Sequence, residues 1–306
     1  MPHQESDTNP FRLEQTFDDF EVLAESARAW DLDFRQVGRG AFRGRLHQIA
    51  DAGAAIAYAR FERSLDQRGA APPGMRTFVV PASADLKLHW RGHRIRGNDL
   101  MLFPRNGELQ SLSGPDFAVD TISLSDGHLE QAAASLGNAR VLASLATREV
   151  FSAPTAAMDR VRAAVRRAQR FWSWETIQRV AVEILATVVA SRTPRAHPRA
   201  DVLDRARAFG PVTNVAELAE GMGVHERTLQ RAFSEFDEVT PKSYLLALSL
   251  NAVRRALLRD EDVSIGEVAR RHGFWHMGQF AADYRRLFGE LPSDSARAQT
   301  HVAIER

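Results

Sequence analysis

Residues 214–236 read NVAELAEGMGVHERTLQRAFSEF, and residues 264–288 follow the same plan as SIGEVARRHGFWHMGQFAADYRRLF. Each stretch opens with a residue that caps helices, and a glutamate follows three positions later, which is the spacing of a capping box. A glycine nine positions after each cap, Gly223 or Gly273, predicts that the first helix ends in a left-handed turn. An apolar residue and a second helical segment follow in both stretches. The pattern predicts two helix-turn-helix units.

A segment without helix breakers joins the two units. Pro241 stands where a helix can begin, and residues 242–259 contain no further proline or glycine. A helix of that length is about 27 Å long, while successive major-groove faces of DNA lie about 34 Å apart. The major groove, about 12 Å wide, admits a helix. We therefore expect the second helix of each unit to read DNA. The alternative is a pair of ordinary helical hairpins, which the matched spacing disfavours.

The region from about Asp201 to Ala298 resembles the DNA-binding domain of the AraC/XylS family of bacterial transcription regulators. The resemblance rests on Leu218-Ala219, Gly223-Val224, Thr228 to Phe233, Thr240-Pro241, Tyr244-Leu245, Ile265 to Ala269, Gly273-Phe274, Gln279-Phe280, Phe288-Gly289 and Pro292. Residues 273–292 are especially similar to the XylS-like branch. The resemblance implies a DNA-binding transcription regulator, typically an activator that contacts RNA polymerase, with a cupin-like sensor domain in its N-terminal half.

The chain departs from the family pattern at three positions. The family often has serine where His225 stands, and histidine is a poorer helix cap. It often has arginine where Ser249 stands in the joining helix and where Ala282 stands in the second reading helix. Alanine at position 282 predicts that the second unit binds DNA phosphates more than it contacts bases.

In the first unit, polar residues lie on the helix face opposite Leu229 and Phe233. We predict that Arg227, Gln230 and Arg231 contact bases, because arginine pairs with guanine and glutamine with adenine in bidentate fashion. His225 and Thr228 are expected near the DNA backbone. The alternative is a solvated polar face without a ligand.

In the second unit we expect His276, Met277 and Gln279 to face the groove, with Met277 against a thymine methyl group. Arg285 is a candidate phosphate contact. These residues are equally candidates for ordinary surface positions.

The N-terminal half has a different pattern, with short apolar runs separated by Gly, Pro and Asn turns, which is typical of a small β-barrel or sandwich. A short amphipathic helix over 18–29 precedes it. We predict strands over 42–49, 55–63, 77–80, 86–90, 100–103, 108–112 and 117–124. The fold class is α+β with two domains: a cupin-like β-barrel with flanking helices, and an all-α domain of two helix-turn-helix units joined by a long helix.

The expected domain boundaries follow from these patterns. Residues 1–192 form a sensor or dimerisation domain, with the barrel over about 34–124 and helices over about 127–192. The two prolines in 193–199 predict a linker, and 200–306 form the DNA-binding domain. The amphipathic helix in 171–192 packs on its own barrel in one interpretation and forms a homodimer interface in the other.

A barrel with apolar interior residues makes a ligand pocket, and Phe61, Phe78, Trp90 and Phe103 are candidate effector contacts; ordinary core packing is the alternative for each. A competing hypothesis is a metal-dependent cupin enzyme fused to a DNA module, using His47, His89 and His93. The spacing His89-x-x-x-His93 argues against it, because four residues along a strand are far apart for one metal. A third hypothesis is a ligand-independent regulator controlled by a partner protein.

Composition excludes several other classes. The 306 residues carry 40 Lys and Arg against 39 Asp and Glu, and no cysteine, so disulfide frameworks, cysteine-ligated metals and a cysteine nucleophile are excluded. No P-loop, dinucleotide fingerprint or catalytic triad pattern is present, and we expect no cofactor, no metal and no catalytic residue. We expect neither a signal peptide nor a membrane span, and a cytoplasmic protein.

Overall fold

The computed structural model describes residues 9–83, 85–104, 108–194, 198–209, 214–236, 238–259 and 264–297. Strands fill the first half, and every strand pair is antiparallel. The strands are β1 Phe11–Phe17, β2 Asp31–Gln36, β3 Gly44–Ala50, β4 Ala54–Phe61, β5 Leu65–Ala70, β6 Met75–Pro81, β7 Leu88–Trp90, β8 His93–Ile95, β9 Asp99–Leu102, β10 Leu109–Ser113, β11 Phe117–Ser125 and β12 Val150–Ser152.

These strands form two facing sheets. The larger sheet has the order β1-β3-β4-β11-β6-β9-β12, and the smaller has the order β2-β5-β10-β7-β8. Within the described residues each sheet keeps two edge strands, so the layout is an open two-sheet sandwich and the predicted barrel is not closed. Side chains alternate between the faces of a strand, so each sheet has an inner face toward its partner and an outer face.

The outer face of the larger sheet is covered by helices. Phe78, Ile122 and Leu124 of the sheet pack there against apolar helix residues. The helices are α2 Asp126–Ser135, α3 Val141–Thr147, α4 Thr155–Arg170 and α5 Trp174–Ala190. Helix α1, Phe20–Ser26, begins at the cap Asp19. Helix α5 buries Ile177 and Ile184 in this layer, so the prediction that it packs on its own sheet domain is confirmed. A role in dimerisation stays a prediction.

The C-terminal helices contain both predicted helix-turn-helix units. They are α6 Pro198–Ala208, α7 Val215–Gly221, α8 Glu226–Phe233, α9 Pro241–Arg259, α10 Ile265–Arg271 and α11 Met277–Phe288. The two turns contain Gly223 at φ 66° and Gly273 at φ 85°, a conformation that other residues adopt at a cost. The caps act as predicted, since the Glu217 amide donates to Asn214 Oδ1 and the Glu267 amide donates to Ser264 Oγ.

The predicted linker is shorter in the structure than in the sequence interpretation. Pro198 begins α6, because proline suits the first turn of a helix, where its missing N–H is not needed. Residues 195–197, the middle of that linker, lie outside the described residues, as do 298–306 at the end of the predicted DNA-binding domain. None of the helices in the described part of the chain combines the length and the apolar character that a membrane span requires.

The outer face of the smaller sheet is docked on the C-terminal helices through buried polar pairs. Arg207 of α6 binds Asp66 of β5, with Nε 3.1 Å from Oδ1, and Tyr244 of α9 donates to Asp66 Oδ2 at 2.7 Å. At the other end of the sheet, His89 Nε2 lies 2.7 Å from Glu235 Oε2, immediately after α8. All except Glu235 are buried.

Helix α9 carries a second part of this docking surface. Arg254 donates to Asp19 at 2.6 Å and to Glu21 at 2.8 Å, while Arg255 pairs with Asp33 of β2. Asn251 exchanges hydrogen bonds with the backbone of Gln36, at 3.0 Å and 2.8 Å. The helices are thus held against the sheet along its width, and the orientation of the reading helices relative to the sheet follows from these contacts.

Candidate nucleic-acid interface and interior cavity

The first reading helix, α8, divides cleanly into a buried and an exposed face. Leu229, Ala232 and Phe233 are buried in the helical core, because the apolar residues recur at helical spacing. The predicted base contacts Arg227, Gln230 and Arg231 are all exposed. His225 is exposed and Thr228 is half-buried, and both lie with Arg227 and Arg231 around one surface hollow. As its poor capping ability predicts, His225 makes no side-chain cap hydrogen bond.

The second reading helix, α11, has the same division. Phe280, Tyr284, Leu287 and Phe288 are buried, whereas His276, Gln279 and Arg285 are exposed and Met277 is half-buried. Gln279 Nε2 donates to Asp283 Oδ2 at 2.9 Å, and Arg286 donates to the other oxygen of Asp283 at 2.7 Å. Gln279 therefore has a hydrogen-bond partner within its own helix.

One concave groove of about 1440 Å³ lies between the two reading helices. Gln230 of α8 lines one side and Gln279 of α11 lines the other, while Leu245, Leu246 and Ser249 of α9 line the groove between them. The structure therefore brings Gln230 and Gln279 to one surface. The remaining predicted contacts are not among the groove-lining residues, and four of them share the hollow at the start of α8.

Sequence reasoning missed two residues of this groove that suit nucleic acid. Trp275, in the turn before α11, is 73% exposed, and a flat exposed aromatic ring packs against sugars or bases. Lys242, exposed at the start of α9, adds a positive charge. The signal in the sequence was that Trp275 lies in a predicted turn, outside the helical pattern of apolar residues.

A second candidate site lies between the two sheets, as a cavity of about 70 Å³. Phe61, Trp90 and Phe103, three of the four predicted effector contacts, line it. Phe78 does not, because it points to the opposite face of β6, into the layer beneath the helices, and its neighbour Val79 faces the cavity instead. The cavity wall is mainly apolar, with aromatic rings in edge contact such as Trp90 and Phe103, whose centroids are 4.8 Å apart.

The three histidines of the metal hypothesis have other surroundings. His89 is bound to Glu235 and packs against Phe236 with ring centroids 5.0 Å apart. His47 lies on β3, in the larger sheet, and His93 on β8, in the smaller sheet. Within the described residues, no group of three or more His, Asp and Glu side chains is arranged to hold a metal ion.

The family model of a helix-turn-helix domain matches residues 218–298, which contain α8, α9, α10 and α11. The chain is 39% identical over 94 residues to the probable thc operon regulatory protein of Rhodococcus erythropolis, and 40% identical over 87 residues to the XylDLEGF operon transcriptional activator of Pseudomonas putida. The C-terminal region is a helix-turn-helix domain of the AraC/XylS type. The predicted family resemblance is thereby confirmed for this domain.

The matches to these relatives are partial. The matches cover 30% and 28% of this chain, and the chain spans only 28% and 27% of the length of the two relatives. Among solved structures, the AraC-like transcriptional activator CuxR gives a TM-score of 0.42 at 12% identity, covering 84% of this chain and 98% of that one. ToxT from Vibrio cholerae gives 0.31 at 10% identity, covering 89% and 99%.

Proposed function

We propose that the chain is a sequence-specific, DNA-binding transcription regulator whose partner is double-stranded DNA. The observation that carries the proposal is the groove of the AraC/XylS-type domain, which the exposed polar faces of both reading helices border. An exposed face of arginine and glutamine on a helix that fits the major groove is a chemically suitable reader of base edges. Affinity would come mainly from local contacts with phosphates, which explains how a chain of net charge +1 binds DNA.

The proposed direction of regulation is activation, in contact with RNA polymerase and in the cytoplasm. The name of the Pseudomonas putida relative, a transcriptional activator, supports this direction. We assign residues 1–192 to sensing and dimerisation, 193–197 to the linker and 198–306, which begin with α6, to DNA binding.

The sensing role is assigned to the cavity between the sheets. Its lining by Phe61, Trp90 and Phe103 supports binding of a small molecule. An effector that binds one arrangement of the chain better than another would shift the balance between arrangements that differ in affinity for DNA. The docked C-terminal helices give this change a physical route, because they share the smaller sheet with the cavity.

The experiment that tests the proposal is selection of binding sequences from a random duplex pool with the full-length protein at moderate salt. Enrichment of two short boxes about one helical turn apart is the expected result, because two linked readers enter successive major grooves. A folded protein that enriches no sequence would contradict the proposal.

Arg231→Ala should weaken binding to the selected duplex by about 1–3 kcal/mol and relax the preference at one base position. The reason is that an exposed guanidinium on the reading face is removed while the buried face of α8 stays intact. The measurement is a titration of a fluorescent duplex with each protein, repeated on duplexes substituted at each position.

The matched control is Arg179→Ala, which removes an exposed arginine of α5 that pairs with Glu183 on its own helix. It should change neither affinity nor base preference. If Arg231→Ala behaves like this control, Arg231 does not contact DNA.

A further inference from the structure

Helix α11 contributes Gln279 and Asp283 to the groove between the two reading helices. The two residues are four positions apart, so their side chains lie on one face of the helix. Gln279 Nε2 donates to Asp283 Oδ2 at 2.9 Å. This hydrogen-bonded pair therefore lies on the surface that the proposed function assigns to DNA.

Asp283 is held by a second hydrogen bond within the same helix. Its side chain is only 10% exposed, and Arg286 Nη1 donates to Asp283 Oδ1 at 2.7 Å. Both oxygens of the carboxylate thus accept a hydrogen bond, and hydrogen bonds to an ionised group are stronger than those between neutral groups. Asp283 is therefore a fixed acceptor, whereas Gln279 beside it is exposed.

The carboxylate sets the orientation of the Gln279 amide. An ionised carboxylate only accepts hydrogen bonds, while an amide has a donor end and an acceptor end. The amide nitrogen must therefore face Asp283, because a rotation by 180° would place Gln279 Oε1 against the negative charge. One N–H is bound to Asp283, which leaves Oε1 and the second N–H. These are the two groups with which glutamine contacts adenine, at N6 and N7.

The first reading helix offers a contrast. Gln230 of α8 lines the opposite side of the groove and is exposed, and within the described part of the chain its side chain makes no hydrogen bond. Ser234, four positions later, donates its hydroxyl to the carbonyl of Arg231 at 2.9 Å instead. Gln230 must be ordered when DNA binds, and ordering a long side chain costs free energy. Gln279 is ordered beforehand.

We propose that Asp283 is a positioning residue for base readout, which holds the Gln279 amide so that the second helix-turn-helix unit prefers adenine at one position of the duplex. The inference rests on the proposed DNA-binding function and names a base that the second unit recognises. It gives this unit a base contact even though Ala282 stands where arginine is frequent in the family. Asp283 acts through Gln279, because both of its own oxygens are in use.

The test uses the full-length protein and the duplex selected from the random pool. Gln279→Ala first identifies the base position whose preference depends on Gln279. Four duplexes that differ only at this position are then titrated with the wild type and with Asp283→Ala. We expect the wild type to prefer adenine, and this preference to fall about 3–10-fold in Asp283→Ala, because the glutamine must then be ordered on binding. Affinity for the other three duplexes should not fall, since a negative charge near phosphates is removed.

Asp283→Asn keeps the test decisive if Asp283→Ala does not fold, because asparagine has nearly the same size as aspartate. Its amide can accept from the nitrogen of Gln279 or donate to the oxygen, so both orientations of the Gln279 amide are allowed. We therefore expect Asp283→Asn to lower the preference for adenine as well. Circular dichroism of each variant shows whether the helices are intact.

The double variant Gln279→Ala, Asp283→Ala separates positioning from every other role of Asp283. In the Gln279→Ala background, Asp283→Ala should change the base preference by less than about twofold, because the residue through which it acts is gone. The control is Glu267→Ala, which removes an exposed carboxylate of α10 that pairs with Arg271 in the same unit. It should also leave the preference within about twofold of the wild type.

Three results would overturn the inference: an undiminished preference for adenine in Asp283→Ala, an equal effect of Asp283→Ala with and without Gln279, or no base position whose preference depends on Gln279. The second result would mean that Asp283 contacts the base itself. Any of them, in a protein that still selects a sequence, contradicts the positioning role alone. A folded protein that selects no sequence contradicts the proposed function, and this inference fails with it.

Discussion

Arg207→Met is expected to lower the free energy of unfolding by about 3–5 kcal/mol, because it leaves the carboxylate of Asp66 buried without its ion partner. Asp66 is fully buried, and Arg207 is 3% exposed. The guanidinium reaches both Asp66 Oδ1 and the carbonyl oxygen of Ser111, the latter at 2.9 Å. Methionine fills similar volume but offers neither charge nor donors, so only the hydrogen bond from Tyr244 and the more distant charge of Arg68 would remain.

The pKa shifts of Asp66 and Arg207 support the same expectation. Burial alone would raise the pKa of Asp66, but Arg207, Tyr244 and Arg68 together hold it below its usual value. Burial would likewise lower the pKa of Arg207, while Asp66 raises it above its usual value. Each group therefore stabilises the charged form of the other. Removing either group leaves its partner as a buried charge without an ion partner.

The measurement is urea unfolding followed by tryptophan fluorescence and circular dichroism. Arg205→Met is the control, since Arg205 lies on the same helix, is about half exposed and pairs only at the surface with Asp201; it should cost less than about 0.5 kcal/mol. The double variant Asp66→Asn, Arg207→Met should recover part of the loss, because no buried charge is then left. Equal stability of Arg207→Met and Arg205→Met would show that the buried pair does not hold the two parts together.

Asp120→Asn is expected to make the protein more stable above pH 6, by up to about 3 kcal/mol, and to leave its stability below about pH 3 unchanged. Asp120 lies on β11 beneath α4 and is 8% exposed. Burial raises the pKa of Asp120 to about 6, although a hydrogen bond from Gln169 and the charges of Arg166 and Arg162 act against the rise. The Gln169 Nε2 atom lies 2.9 Å from Asp120 Oδ1.

The sign of the pH dependence follows from this raised pKa. Below about pH 3 the carboxyl group is protonated in both the folded and the unfolded chain, so its ionisation does not affect stability. Between about pH 4 and 6 the unfolded chain releases the proton first, so rising pH favours unfolding; above the folded value the loss is complete. An asparagine at position 120 has no proton to release, so this loss disappears.

The measurement is urea unfolding of the wild type and the variant at intervals from about pH 3 to 8, with the difference plotted against pH. Asp159→Asn serves as the control, because Asp159 is an exposed carboxylate of α4 that pairs with Arg162; its difference should stay within about 0.5 kcal/mol at every pH. A flat difference curve for Asp120→Asn would contradict a raised pKa at this position.

The helical part of the fold was predictable because its signals are local. Glycines, caps and a breaker-free segment all act within a few residues, and α7 to α11 begin and end near the expected positions. The strands were harder to predict from the sequence. Seven predicted strands correspond to β3, β4, β6, β7, β9, β10 and β11, whereas β1, β2, β5, β8 and β12 were missed. Strand β5, which reads LDQRGA, buries Asp66 and Gln67, and nothing local marks such polar residues as interior.

The candidate sites show the same limit. The exposure of Arg227, Gln230 and Arg231 followed from helical periodicity, and three of the four predicted effector contacts line the cavity between the sheets. The docking of the two parts was not predictable, because Arg207 and Asp66 are 141 positions apart in the chain. Only the folded structure shows that Asp66 lies opposite Arg207.

The smaller sheet has a consequence for building hybrid regulators. Along β5 and β7 the residues alternate between two tasks: Gln67 and Trp90 face the cavity, while the adjacent Asp66 and His89 hold the C-terminal helices. A chimera joined within 193–199 would transplant the cavity together with docking groups matched to the helices left behind. Exchange of sensors between such proteins therefore requires Arg207, Glu235 and Tyr244 to travel with the sheet, even though they lie on the far side of the junction.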